Sequence, residues 1–326
     1  MKKLRSSLTA LVLSGFLFVF AGCATTIKVN VQRPAELDLN GASSISVLPF
    51  QTSLFIMPDV HGRVSVLDAF FSGLFSSGED YRCASYLTDN INKTLLSGKF
   101  YRLVDSNTVH SQLLRGETPD CDIYLSGRID YLTSFTETER CERKKDDKIV
   151  YYDQFRKRIK IGVSYMVIDA KTSTVMDIDT YDFETFSGWY DNPSYLPGEF
   201  NEVRYYLDSI VSDLSRKIQP YYETKKIKLL EDKTKNPDLK TANEYAKNKL
   251  YQKSYDVYRE VYDSTGDFTA GYNSAMLQEV LGNLDEARSI MDRLVDETGD
   301  KRAMKALSDI NNEILKDERL KNQLQK

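Results

Sequence analysis

The apolar residues of this chain follow two different periods, and the change between them divides the sequence. Before residue 220 they alternate with polar residues or form short β-branched runs, as in residues 159–168, where apolar side chains occupy the odd positions. After residue 235 they recur every three or four residues. Alternation is typical of strands with one buried face, and three-to-four spacing of amphipathic helices. We therefore predict an α+β fold, in which a mixed α/β sandwich domain precedes an all-α helical-repeat domain.

Residues 1–22 have the layout of a secretory signal peptide. A basic start is followed by an apolar run from Leu8 to Phe20 and by the small residues Ala21 and Gly22. The run is shorter than the ~20 residues that a membrane-spanning helix needs. Cys23 comes next, and Phe20-Ala21-Gly22-Cys23 resembles the lipobox of bacterial lipoproteins, although Leu is commoner at the first position. The alternative is a plain signal peptide followed by a coincidental cysteine.

The lipobox resemblance implies that Cys23 carries the lipid, palmitate included, and becomes the mature N-terminus. Ala24 is not an inner-membrane retention signal and no acidic cluster follows, so the resemblance implies the outer membrane and its periplasmic face. Without residues 1–22 the chain has 41 basic and 48 acidic side chains, a net charge of −7. This acidic balance argues against nucleic acid as a partner. We expect attachment to the membrane to depend on acyl chains rather than on a basic patch.

Histidine and cysteine are too scarce to support a metal site or imidazole catalysis. Only His61 and His110 are present, and the cysteines that remain beside Cys23 are Cys83, Cys121 and Cys141. Their spacings match no zinc pattern. In an oxidising compartment they allow one disulfide and one free thiol, or no pairing. We predict no cofactor and no metal.

The region before residue 220 alternates between strand and helix patterns. Gly98, Gly116 and Pro220 end the predicted helices, and Ser106 is the predicted cap of the second. The elements are predicted over these ranges: strands 45–50, 100–104 and 123–135, a hairpin 159–168 with 175–186, and helices 81–97, 106–114 and 201–218.

This order resembles the family of the curli-secretion lipoprotein and the lipoprotein activators of penicillin-binding proteins. The shared motifs are Val-Leu-Pro-Phe at 47–50, Ser-Gly-Lys-Phe at 97–100 and an aspartate-to-Ser-Gly strand at 122–127. Arg-Pro-Ala-Glu at 33–36 also resembles the opening of uncharacterised Bacteroidetes-type lipoproteins. The resemblance implies an envelope lipoprotein that binds proteins or oligomerises; a generic α/β sandwich is the alternative.

Two segments bear on membrane contact. The strand 175–186 carries Asp177 and Asp179 on one face and Asp182 and Glu184 on the other. A lipid-facing strand rarely carries carboxylates near the bilayer midplane, so we expect a soluble hairpin rather than a pore. Residues 51–79 contain strongly apolar clusters among Gly and Ser. They are either a satellite core segment or an exposed apolar surface.

The last region contains a 33-residue repeat, since Ser254 and Ala287 occupy equivalent positions in similar segments. The second unit, about 268–301, resembles a tetratricopeptide repeat, and the first, about 235–267, is degenerate because Lys249 replaces the turn glycine. We therefore divide the chain into a signal peptide (1–22), an α/β lipoprotein domain (23–220), a helical linker (221–234) and tetratricopeptide-like helical repeats (235–326).

By resemblance, the first helix of each unit would line a peptide groove through Leu239, Asn243, Tyr272 and Met276. The alternative is a short array that packs only within its own chain.

No catalytic motif is present. Glycine-rich phosphate loops, GxSxG and HExxH are absent, and the carboxylate pairs Asp146-Asp147 and Asp177/Asp179 are expected in solvated turns or strands. We predict a non-enzymatic envelope lipoprotein that is a docking scaffold for another envelope protein. The alternative is a homo-oligomeric secretion component. A third hypothesis, an envelope hydrolase, requires Asp177, Asp179 and Asp182 to converge in one cleft.

Overall fold

A computed structural model describes residues 25–39, 41–52 and 78–325, which divide into two units. The predictions for the signal peptide, for Cys23, for His61 and for most of the 51–79 segment lie outside these residues. The α+β class is confirmed, with a helical C-terminal region. Among the described residues, one unit contains those from 33 to 221 and from 320 to 325, and the other contains residues 25–32 and 222–319.

The α/β unit is built on one mixed sheet. Its strands are β2 (Ser44–Val47), β3 (Gln51–Thr52), β4 (Arg102–Leu103), β5 (Ile123–Lys145), β6 (Lys148–Asp169) and β7 (Val175–Phe186). Their order in the sheet is β4-β2-β5-β6-β7, and β3 pairs with β5. The first strands pair in parallel, whereas β5, β6 and β7 form an antiparallel meander.

Two 20-residue helices, α1 (Glu79–Gly98) and α3 (Glu199–Ile218), pack on one face of this sheet. Each has an apolar stripe at three-to-four spacing, which makes one side bury against the sheet. The stripes are Cys83, Ala84, Leu87, Ile91 and Leu95 on α1, and Val203, Leu207, Ile210, Val211, Leu214 and Ile218 on α3. The odd-numbered residues 159–167 of β6 complete this core.

A shorter helix, α2 (Ser106–Leu114), lies between β4 and β5. The predicted cap was one residue late, because the Asp105 carboxylate accepts the N–H of Thr108 at 2.9 Å and Ser106 is the first helical residue. Aspartate is at least as good a cap as serine.

The sequence motifs of this unit hold the first strands together. The Phe50 ring lies against Gly127, where an added Cβ would come within 2.2 Å of it. Asp122 accepts hydrogen bonds from the N–H and hydroxyl groups of Ser43 and Ser44 at 2.9 to 3.1 Å. The motifs at 47–50 and 122–127 therefore contribute to the packing and pairing of these strands.

The helical unit contains α4 (Pro237–Lys247), α5 (Tyr251–Thr265), α6 (Phe268–Leu281), α7 (Leu284–Thr298) and α8 (Lys301–Leu324), the last counted in this unit as far as Arg319. Ser254 on α5 and Ala287 on α7 are fully buried at the helix crossings, and the Ser254 hydroxyl donates to the Ala242 carbonyl at 2.7 Å. Tyr255, Tyr258 and Tyr262 are buried between helices, and Tyr251 is partly buried.

A two-stranded ribbon also belongs to the helical unit. It pairs β1 (Thr26–Arg33) with β8 (Tyr221–Lys228). The helical linker predicted at 221–234 is therefore wrong over its first eight residues. Ile227 and Leu229 alternate with exposed lysines, a strand pattern, and the partner strand comes from the start of the chain.

The cysteines of the described residues are unpaired. Cys83 and Cys121 are buried, and burial raises their pKa values to about 12 and about 11, with nearby carboxylates adding to the effect. Cys141 is partly exposed. No helix within the described ranges is long and apolar enough to cross a bilayer.

Candidate protein-binding site

The four residues predicted to line a peptide groove lie on α4 and α6, the first helices of the two repeats. Leu239 and Met276 are buried in the core of the helical unit, at 1% and 9% exposure. Asn243 and Tyr272 are half-buried; the Tyr272 ring packs 6.1 Å from that of Phe268. The structure does not leave these side chains as an open groove.

The β1–β8 ribbon covers this face of the repeats. The Thr25 hydroxyl donates to the Asn243 side chain at 2.6 Å. The Asn273 amide donates to the Leu230 carbonyl at 2.9 Å and accepts the Leu230 N–H at 2.7 Å. Residues 273–279 of α6 are all buried as a result. The sequence could not reveal this arrangement, because residues 25 and 243 are far apart along the chain.

A buried ionic cluster joins the ribbon to two helices. Lys225 on β8 forms ion pairs with Glu279 on α6 and with Glu313 on α8, the second at 3.2 Å. The two carboxylate side chains are only 4% and 10% exposed. Burial raises the pKa of Glu279 although Lys225 pulls it down. Removing one partner of a buried ion pair leaves an uncompensated buried charge, so the ribbon and the two helices are coupled through this cluster.

Within the described residues the first helices of the two repeats pack against the chain's own ribbon, an arrangement that the intramolecular alternative would require. In an array of the tetratricopeptide type, the first helices would present the ligand surface. Here that surface contacts the chain's own ribbon through Ile27, Ile227 and Leu229, all of which are buried. A peptide ligand would have to displace these contacts.

The sheet of the α/β unit extends into a projecting hairpin that the sequence prediction missed. β7 ends opposite Arg158, and a single bridge joins Phe155 to Tyr190. Beyond that bridge β5 and β6 pair only with each other, over residues 139–154, which we name the β-arm. The predicted strands ended at residue 135 and began again at residue 159, whereas the charged run 140–148 continues both strands around a turn at Asp146 and Asp147.

The β-arm exposes side chains that proteins commonly use for binding. Ile149 and Tyr151 are 61% and 55% exposed, and Val150 is also exposed. The guanidinium groups of Arg140 and Arg143 lie 4.9 Å and 5.4 Å from the rings of Tyr151 and Tyr152. Tyrosine and arginine are enriched among the residues that dominate binding energy at protein interfaces. The signal available in the sequence was the β-branched and aromatic run at 149–152.

The acidic residues considered for catalysis are dispersed. Asp177 and Asp179 both accept from the Lys217 ammonium, at 3.0 and 2.9 Å. Asp182 instead accepts from the Tyr131 hydroxyl at 2.5 Å. Asp146 and Asp147 form the exposed tip of the β-arm. The convergent cleft that the hydrolase hypothesis requires is therefore not formed by these residues.

Lys217 on α3 pairs with two carboxylates of β7. Burial opposes its charge, but hydrogen bonds with Tyr165, Asp179 and Asp177 raise the pKa of Lys217 well above the usual range. The hydrogen bond from Lys217 lowers the pKa of Asp179. An ammonium held this firmly in the charged state is a structural cation that joins α3 to β7.

The remaining candidates give no site. His110 is exposed on α2. Across residues 25–39, 41–52 and 78–325 no three His, Cys, Asp or Glu side chains are grouped so that they could hold a metal ion.

Comparison with known proteins gives structural similarities alone. No protein-family model matches the chain, and no curated protein does. A PelC L103M dodecamer chain from Paraburkholderia phytofirmans is 12% identical with a TM-score of 0.27, over 59% of this chain and 98% of that one. Lipoprotein GNA1162 from Neisseria meningitidis is 12% identical with a TM-score of 0.21, over 54% and 97%. A minor lipoprotein from Acinetobacter baumannii is 10% identical with a TM-score of 0.20, over 54% and 87%.

Proposed function

We propose that this chain is a non-enzymatic lipoprotein of the bacterial cell envelope that docks another envelope protein through its β-arm. It is held in the outer membrane, on the periplasmic face, by the lipid on Cys23. The observation that carries the docking role is the β-arm, which extends beyond the sheet and exposes Ile149, Val150 and Tyr151.

Several properties of the β-arm support a binding role over a structural one. A two-stranded hairpin with neither face covered is marginally stable by itself. Among the residues that the structure describes, its apolar side chains are not part of the core of the α/β unit. Exposed apolar clusters with a polar rim are typical of protein interaction sites. The repeats, by contrast, already contact the β1–β8 ribbon, so we assign docking to the α/β unit.

The docking proposal is tested by photo-crosslinking in intact cells. A photoreactive phenylalanine analogue replaces Tyr151 in the full-length protein, and Tyr205 on α3 is the control because it is 77% exposed. We expect a defined crosslinked partner from position 151 alone. The same products from both positions, or none from position 151, would contradict the proposal.

A paired substitution tests the same surface without the analogue. Ile149→Ser with Tyr151→Ser removes exposed apolar area from the β-arm, while Leu114→Ser with Tyr205→Ser removes a similar area elsewhere. We expect only the first pair to abolish co-purification of the crosslinked partner, with unchanged circular dichroism in both.

Lipidation is tested separately. Cys23→Ala in the full-length protein is expected to abolish palmitate labelling and to move the protein from the membrane to the soluble fraction. Retained labelling would contradict lipidation at Cys23. It would not affect the β-arm proposal, which the crosslinking experiment tests separately.

The alternative function is a homo-oligomeric secretion component. It is favoured by one observation: β7 is a 12-residue edge strand of the sheet, and edge strands can pair with another chain. If the crosslinked partner is a second copy, and mass photometry in detergent gives a ring-sized mass, this alternative replaces the first.

A further inference from the structure

The mature chain is acidic overall, yet its lysines are concentrated in one place. Nine lysines and four acidic residues lie between residues 225 and 253. We propose that the outward face of the β1–β8 ribbon, at Lys28, Lys226 and Lys228, is a membrane-docking site for anionic phospholipid headgroups. This inference rests on the proposed lipid anchor at Cys23, because the anchor would bring this face to the bilayer.

The alternation of the ribbon separates its two faces. Ile27, Ile227 and Leu229 are buried against the helices. Lys28, Lys226 and Lys228 alternate with them and are exposed. Successive side chains of a strand point to opposite faces, so the three ammonium groups lie on the side away from the helical core.

Their charges are uncompensated within the described chain. Among the residues that the structure places, no carboxylate forms an ion pair with any of the three lysines, whereas the inward-facing Lys225 has two such partners. The Leu229 N–H donates to the Thr25 carbonyl, and the Thr224 hydroxyl donates to the Asn30 side chain. This antiparallel register places Lys28 opposite Lys226.

Like charges directly opposite each other on paired strands destabilise the pair. The pairing of Lys28 with Lys226 does not stabilise the fold, but a lipid phosphodiester bound between the two ammonium groups would relieve their repulsion. Lys240 extends the basic surface, because it is exposed on α4 one turn before Asn243, the residue that accepts from Thr25.

The anchor would hold this surface at the bilayer. Cys23 precedes Thr25 by two residues, which span at most about 7 Å when fully extended. Lys228 lies next to Leu229, the residue paired with Thr25. The Debye length is about 8 Å at physiological ionic strength, so lysines at this end of the ribbon would be within electrostatic reach of lipid headgroups. The proposal thereby adds an electrostatic contribution to the attachment by acyl chains that we expect from the sequence.

The basic patch would orient the protein on the membrane. A chain with a net charge of −7 is repelled by an anionic bilayer over most of its surface. One basic patch beside the anchor would select the pose in which the ribbon faces the lipid.

Vesicle binding of the full mature chain carrying Cys23→Ser, and therefore no lipid, tests the patch independently of lipidation. Co-sedimentation is measured with vesicles of 40% phosphatidylglycerol in phosphatidylcholine, with pure phosphatidylcholine, and with inorganic phosphate as competitor. We expect binding to the anionic vesicles only, lost at 0.5 M salt and not displaced by 10 mM phosphate. Displacement by free phosphate, or equal binding to both vesicles, would overturn the proposal.

Charge reversal identifies the residues. Lys28→Glu, Lys226→Glu and Lys228→Glu together are expected to lower partitioning more than 100-fold, since each lysine near an anionic surface contributes about fivefold and each new carboxylate is repelled by the surface. The control reverses three exposed lysines elsewhere: Lys93, Lys301 and Lys305. Equal losses in both would show a net-charge effect and overturn the patch. The triple Lys→Gln variant removes the same three charges without adding new ones, and it is expected to lower partitioning about 100-fold with unchanged circular dichroism. It is the control for misfolding of the charge-reversed ribbon.

The lipidated protein gives the second readout. In nanodiscs with phosphatidylglycerol, acetylation of Lys28, Lys226 and Lys228 is expected to slow at least fivefold relative to phosphatidylcholine nanodiscs, while Lys301 and Lys305 are unchanged. Equal acetylation in both lipids would overturn the proposal. Failure of lipidation, seen as absent palmitate label, would refute the anchor and not the patch.

Discussion

Lys249 closes the turn between α4 and α5 in a left-handed backbone conformation, with φ of 61°. At the equivalent turn of the second repeat Gly282 has φ of 84°. A residue with a Cβ is strained there by about 1 kcal/mol, whereas glycine is not. The degenerate first repeat therefore keeps the turn geometry without the residue that favours it.

Lys249→Gly should stabilise the helical unit by about 1 kcal/mol, because it relieves this strain. Urea unfolding monitored by circular dichroism measures the change. Asn248→Gly is the control, since residue 248 has φ of −86° and glycine relieves nothing there. Equal effects of the two glycines would contradict the assignment of strain to position 249.

Asp122 gives the α/β unit a pH-dependent contact. Hydrogen bonds from Lys171 and from the Ser43 N–H hold the pKa of this carboxyl well below its ordinary value of 3.8. A carboxyl whose folded-state pKa is depressed stabilises the fold above its unfolded pKa and loses that effect as the pH falls below it.

Asp122→Asn should therefore cost about 1 kcal/mol at pH 7, a figure that allows for partial solvent exposure. The cost should shrink steadily below pH 4. Urea midpoints of variant and parent at pH 7, 4.5 and 3.5 provide the measurement. Asp147→Asn in the exposed turn should show almost no difference at any pH, and a pH-independent cost at position 122 would refute the mechanism.

At the scale of elements, the β1–β8 ribbon determines what the repeats can bind. Asn273 is fully buried, and its amide satisfies both backbone groups of Leu230 just beyond β8. The ribbon is thus attached by paired polar contacts as well as by apolar burial.

Asn273→Ala should lower the free energy of unfolding by about 2 to 3 kcal/mol, because it leaves both polar groups of Leu230 without a partner. Limited trypsin cleavage at Lys233 and Lys235 should accelerate as the segment loosens. Asn283→Ala, an exposed position bonded to Gln278, is the matched control. Unchanged cleavage in Asn273→Ala would show that the ribbon is held by apolar contacts alone.

The β-arm was missed for an identifiable reason. Asp146 and Asp147 both have positive φ, 47° and 58°, as a two-residue hairpin turn of the I′ type requires. Asn-Gly or Asp-Gly is the usual signal for such a turn, and Asp-Asp is not. The flanking charges then hid an alternation that has no buried face to mark it.

At the scale of the molecule, the helical unit is discontinuous in sequence. Ile27 and Val29 of β1 pack in its core although residues 34–220 lie between β1 and β8. A chain that begins at residue 33 should keep the α/β unit and lose protection in the helical unit.

Hydrogen–deuterium exchange of chains beginning at residues 24 and 33 measures this effect. Faster exchange over residues 237–319, with unchanged exchange over residues 83–95 and 159–167, is the expected outcome. Equal protection of both units in the shorter chain would show that the repeats are stable without β1.

The sequence by itself determined the α+β class, both long helices of the α/β unit, the hairpin of β6 and β7, and the packing positions Ser254 and Ala287. These features follow from local periodicity and from residue size, which can be read from short segments of the sequence. Tertiary structure alone decided that β1 joins β8, that this ribbon covers α4 and α6, and that three lysines share its outward face. Such pairings are made between residues distant in sequence, and their free energy depends on which surfaces meet, a quantity that no local pattern contains.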